Sequence, residues 1–157
     1  MSAPFVRPPA AGSTPGVLQI FTDQVTIKLS SAETGGTYTM LTGLTPPQGG
    51  PPLHKHLADS ETFYVLSGEF VFELDGVIHQ AGPGSTVHIP AGVAHLYQCV
   101  SEEPGEVLLV VQPGGLDDFF IELDALLKAH SEPPMPAIAA LHEKFGMELL
   151  GPPLAAR

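Results

Sequence analysis

The chain has 157 residues, 43% of them hydrophobic, with a mean hydropathy of +0.19 and seventeen glycines and seventeen prolines. That is enough for one core, too apolar for disorder, and rich in the residues that join short strands through tight turns. A formal net charge of −11, from seventeen acidic and six basic side chains without a basic run, argues against nucleic acid or an anionic membrane as a partner.

Met1 to Gly16, rich in Pro, Ala, Ser and Gly, reads as a flexible N-terminal arm. Val17 to Ser30 and Thr37 to Leu44 carry alternating or β-branched strand patterns, and Thr45 to Pro52 is a Pro/Gly loop leading to His54. Thr62 to Leu66 is a strand, Gly68 a turn, and Phe70 to Leu74 an alternating strand. Asp75-Gly76 is a hairpin signal, followed by Val77 to His79. Thr86 to Ile89, His95 to Val100 and Glu106 to Gln112 complete a series of short, evenly spaced strands. The spacing predicts an all-β barrel or sandwich over residues 17–115.

After Pro113-Gly114-Gly115 the pattern changes. Leu116, Phe119, Phe120, Leu123, Leu126 and Leu127 recur at helical spacing within Leu116 to His130. Asp117 and Asp118 open this helix and Lys128 and His130 close it, in the sense the helix dipole favours. A second helix is predicted from Pro136 to Phe145, ending at Gly146. Residues 116–157 are thus expected to form a helical extension packed on the barrel or covering its pocket. The single cysteine rules out an internal disulfide and fits a reducing, cytoplasmic setting. No apolar run approaches a membrane span, and the start of the chain lacks a secretory pattern.

The residues that point to chemistry are His54, His56, Glu61 and His95. Side chains alternate along a strand, so His54 and His56 share a face and Lys55 points away. Leu57 to Ser60 can turn the chain and bring Glu61 back beside them, while His95 arrives from a remote segment after Pro90-Ala91-Gly92. Three imidazoles and a carboxylate suit a divalent transition metal: iron, nickel or manganese first, with zinc, copper or cobalt compatible.

These segments resemble the paired motifs of the cupin superfamily. Its first motif is glycine, five residues, His-x-His, three or four residues, glutamate, six residues, glycine. His54, His56, Glu61 and Gly68 match, although Gln48 stands where the leading glycine belongs and Gly49 comes one place later. The second motif is glycine, five residues, Pro-x-Gly, two residues, histidine, three residues, asparagine. Gly84, Pro90, Gly92 and His95 match, and Cys99 replaces the asparagine. The stretch from Lys144 to Pro153 also looks like the tail of quercetin-dioxygenase-like bacterial cupins.

The resemblance implies a double-stranded β-helix (jelly-roll) barrel with one or two short C-terminal helices, and a homodimer. It further implies a metal-dependent oxidoreductase, a dioxygenase acting on a small phenolic or enolisable, flavonol-like compound. Glu61 would then be a metal ligand that also acts as general base. An isomerase, cyclase or lyase using the same metal, or a non-catalytic ligand-binding barrel, are the alternatives.

Other polar residues are assigned to structure. His88 is expected on the barrel wall, His79 and His142 in solvent, and Glu69 and Glu73 on the outer face of their strand. Tyr38, Met40, Phe63 and Phe72 read as core, and Cys99 as a small buried hydrophobe.

Overall fold

The computed structural model describes residues 3–13 and 15–157. Among them two sheets face each other. One has the order β1 (Val17–Ile20), β2 (Asp23–Leu29), β3 (Thr39–Thr45), β10 (Gly105–Gln112), β5 (Ser60–Ser67), β8 (Thr86–Ile89). The other runs β11 (Met147–Gly151), β4 (Leu53–His56), β9 (His95–Cys99), β6 (Phe70–Leu74), β7 (Val77–Ala81). The result is an all-β jelly-roll barrel, a double-stranded β-helix, with two short helices: α1 (Leu116–Lys128) and α2 (Met135–Lys144).

Alternation builds the core. Val25 and Ile27 of β2, Phe63 and Val65 of β5, and Val107, Leu109 and Val111 of β10 all point between the sheets and are buried. Phe70 and Phe72 enter from β6, and the Phe63 and Phe72 rings meet edge to face at 5.2 Å. Asp75 and Gly76 both take positive φ, 47° and 83°, in the two-residue turn that pairs Leu74 with Val77.

The helices close the barrel from one side. Leu116, Phe119 and Leu123 of α1 and Ile138 of α2 are buried. Asp117 sits in the first turn of α1, as the dipole favours, and is also buried, accepting hydrogen bonds from the Ser31 N–H at 3.1 Å and the Thr39 hydroxyl at 2.9 Å. It ties the first turn of α1 to the main sheet. No helix among the described residues is long and apolar enough to cross a membrane.

The segment beyond α2 differs from the helical extension the sequence suggests. Residues 147–151 form β11, antiparallel to β4, with Met147 opposite His56 and Leu149 opposite His54. Met-Glu-Leu-Leu has no β-branched residue to announce a strand; the free edge of β4 supplies the partner. Glu73, expected in solvent, is likewise covered by the C-terminus, where Arg157 donates to it at 2.7 Å.

Positions 1, 2 and 14 of the N-terminal arm lie outside the described residues. The rest runs beside β2: the Ser13 N–H donates to the Ile27 carbonyl at 2.7 Å, Lys28 donates to the Pro9 carbonyl at 3.0 Å, and Arg7 pairs with Glu33 at 2.6 Å. Arg7 first, then the Ser30 N–H, hold the Glu33 carboxyl down at about 2.

Candidate metal centre

Period-two geometry puts His54 and His56 on the inner face of β4, both buried, while Lys55 turns outward to Glu148 at 3.2 Å. A bend over 57–59 reverses the chain, pinned by the Leu57 N–H donating to the Gly146 carbonyl at 2.8 Å. Glu61 then enters on β5 of the opposite sheet, 3% exposed. His95 begins β9 directly across from His54. The site therefore sits between the two sheets, at one end of the barrel.

The four side chains converge. One ligand atom from each lies within 4.8 Å of all the others. Glu61 Oε2 is 2.6 Å from His95 Nε2 and 3.3 Å from His56 Nε2. These three atoms are fully buried, yet none makes a hydrogen bond of acceptable geometry. Buried polar atoms without partners are costly, by about 1–3 kcal/mol each. A cation at their common centre would satisfy all three at once, and the donor set is the one borderline transition metals prefer.

The rings are oriented by their far nitrogens. His54 Nδ1–H donates to the Pro52 carbonyl at 2.8 Å, and His95 Nδ1–H donates to the Val93 carbonyl at 2.9 Å. Each such bond fixes the tautomer and leaves Nε2 as a lone-pair donor facing inward. His56 Nδ1 instead faces Asp59 Oδ2 at 3.7 Å.

Charge is unevenly shared. Burial and the neighbouring His95 press His54 down to about 3, so it stays neutral. Burial also opposes charge on His56, but the carboxylates of Glu61 and Asp59 overcome it and lift His56 to about 9. Burial alone would raise Glu61; His56 outweighs it and keeps the carboxyl well below its usual range.

Around these groups is a partly open cavity of about 70 Å³, lined mostly by apolar side chains from both sheets and α1. Two polar features besides the four residues open on it. Tyr97, two places after His95 on the same face of β9, donates its hydroxyl to Asp23 at 2.5 Å. Burial raises both groups, so the hydrogen bond holds a carboxyl and a phenol in a dry setting. The second is His142 of α2. Phe21 and Pro52 line this cavity and also a wider open groove of about 910 Å³ outside it.

The remaining assignments divide. His79 is exposed, and His88 lies on β8 of the barrel wall, exposed, with its Nδ1 3.1 Å from the Thr62 hydroxyl. Phe63 and Phe72 are buried, whereas Tyr38 and Met40 are half-buried; Tyr38 precedes β3. Cys99 is buried, its Sγ 3.3 Å from the Ser101 hydroxyl. His142, expected in solvent, is 3% exposed and lines the cavity. Asp23 and His142 carry no local signal as site residues; for Tyr97 the alternation of β9 from His95 is a signal that could have found it.

A model of the cupin domain matches residues 42–111. The quercetin 2,3-dioxygenase of Bacillus subtilis is 35% identical over 83 residues, which cover 53% of this chain and 24% of that enzyme. The chain thus spans about a quarter of that protein's length. An uncharacterised protein of Streptomyces coelicolor is 35% identical over 78 residues, covering 50% of this chain and 68% of that one. Among solved structures, the polyketide cyclase RemF of Streptomyces resistomycificus is similar with a TM-score of 0.56 and 19% identity, over 71% of this chain and 80% of that one.

Proposed function

The chain belongs to the cupin family, and on that premise we propose that it is a metal-dependent oxidoreductase, a dioxygenase for a small phenolic or enolisable, flavonol-like compound. One observation carries the reading: three imidazoles and a carboxylate converge in an apolar cavity, and the buried Nε2 atoms of His56 and His95 and Oε2 of Glu61 have no hydrogen-bond partners of their own. His54, His56, His95 and Glu61 would hold one divalent transition metal, with iron, nickel or manganese favoured and zinc, copper or cobalt compatible. When bound, that metal supplies Lewis-acid polarisation of a substrate oxygen.

The chain's own residues do the rest. Glu61 is held ionised beside His56, so its Oε2 can accept the proton of a substrate hydroxyl as general base. The carbonyls of Pro52 and Val93 keep the His54 and His95 rings from turning. Aromatic side chains, Phe63 and Phe119 among them, line the cavity, and such walls favour an apolar ring. Similarity to the Bacillus dioxygenase supports the choice of reaction.

A second reading is isomerase, cyclase or lyase chemistry at the same ligands; it is supported by a fold shared with a polyketide cyclase at 0.56 TM-score. A third is a ligand-binding barrel without turnover. Elemental analysis of protein purified without chelating resin, then oxygen uptake over a phenol and flavonol panel, tests the proposal. Metal at about one per chain with oxygen consumption is the expected result. Turnover under argon would favour the second reading, and saturable binding without turnover the third. A homodimer in the cytoplasm belongs to the same proposal, and light scattering tests the dimer.

A further inference from the structure

His142 lies on α2, outside the segment that the cupin domain model matches, and is 3% exposed. Its Nδ1–H donates to the Ile138 carbonyl at 2.7 Å, one helical turn back. The tautomer is thereby fixed, and Nε2 is left as an acceptor. That nitrogen has no hydrogen-bond partner among the described residues, although the ring lines the cavity. The Phe119 ring packs against it edge-on at 5.0 Å, and the His54 ring lies 6.4 Å away. Burial disfavours the charged form, so the free nitrogen offers a lone pair and not a proton.

An acceptor without a protein partner on a cavity-lining ring is open to a donor that a bound molecule supplies. We infer that His142 Nε2 receives a hydroxyl of the substrate, next to the oxygen that faces the three histidines and Glu61. This rests on the metal reading above and narrows its substrate class to compounds with two neighbouring oxygens, such as an ortho-dihydroxy aromatic ring. The His142 ring lies 6.4 Å from that of His54 and lines the same cavity, so one small molecule can meet both. Phe119 supplies an aromatic edge for the ring carrying those oxygens. In this assignment the strands choose the metal and a helix beyond the matched domain chooses the substrate.

The test compares wild type, His142→Phe and His142→Gln, each loaded with the same divalent metal, its content checked by elemental analysis. Calorimetry then measures the binding of catechol and of phenol, which differ by one hydroxyl. His142→Phe should weaken catechol about tenfold, the worth of one neutral hydrogen bond, and phenol by less than about twofold. His142→Gln, which keeps an acceptor and serves if the phenylalanine variant does not fold, should retain part of the catechol affinity. Catechol binding unchanged in both variants overturns the inference and leaves the metal reading intact. So does a metal-loaded wild type that binds neither compound, or metal loss in both variants. A wild type that takes up no metal overturns the metal reading and this inference with it.

Discussion

The two ends of the cavity are built differently. At one end, β4, β5 and β9 present donors whose directions are set by backbone: His54 and His95 are each locked to a carbonyl two residues before them. The facing wall comes from α1 and α2, where Phe119, Phe120 and Leu123 pack as apolar bodies, His142 is the polar exception, and Ile138 of α2 is buried in the core. A carbonyl lock fixes a ring's tautomer and orientation, whereas apolar packing fixes a volume. One end is suited to hold an ion, the other to select what reaches it.

The contrast breaks most sharply at the donors. His56→Ala or His95→Ala should reduce bound metal from about one per chain to near zero by elemental analysis, with the β-sheet circular dichroism kept; unchanged stoichiometry would refute the ligand assignment. The opposite wall should behave in the opposite sense. Ile138 is fully buried, so Ile138→Ala should cost about 2–5 kcal/mol in urea denaturation while metal content stays near one per chain. Loss of metal in that variant would show that the wall also holds the ligands in place.

Two smaller effects lie away from both ends. Glu33 is held at about 2, below its ordinary value of 4.5. Its contribution is therefore complete above pH 4.5 and fades as pH falls toward 2. Arg7→Ala should flatten that part of the stability profile, modestly, because the pair is partly solvated. Gln48 has φ of 65°, in the left-handed region. Gln48→Gly should leave metal content alone and stabilise by about 0.5–1 kcal/mol in the same denaturation experiment, relief of the backbone exceeding the entropy glycine adds to the unfolded chain.

Gln48 also shows what kind of information the sequence carries. The family motif has glycine there, and the chain holds Gln48 in the left-handed region that favours glycine. Strands, hairpin and ligand spacing are readable because they depend on neighbours two to five positions apart. The convergence of His54, His56, Glu61 and His95 follows from such spacing plus one barrel closure. β11 and the burial of His142 were not readable, because both depend on partners about ninety residues away. Met147 pairs with His56 in the second sheet, and His142 is buried where α2 packs against β11 and α1, with the His54 ring 6.4 Å away. Glu73 belongs with them, hidden by Arg157 at the far end of the chain.

One detail of the second sheet bears on its mechanics. β4 and β9 are in register at a single pair, His54 opposite His95, so almost no ladder joins the two strands. An ion gripped by both imidazoles would act as a rivet across that seam. Amide protons of β4 and β9 would then exchange slowly in the loaded protein and fast after chelation, while those of β3 and β10, zipped along seven consecutive pairs, would hardly notice.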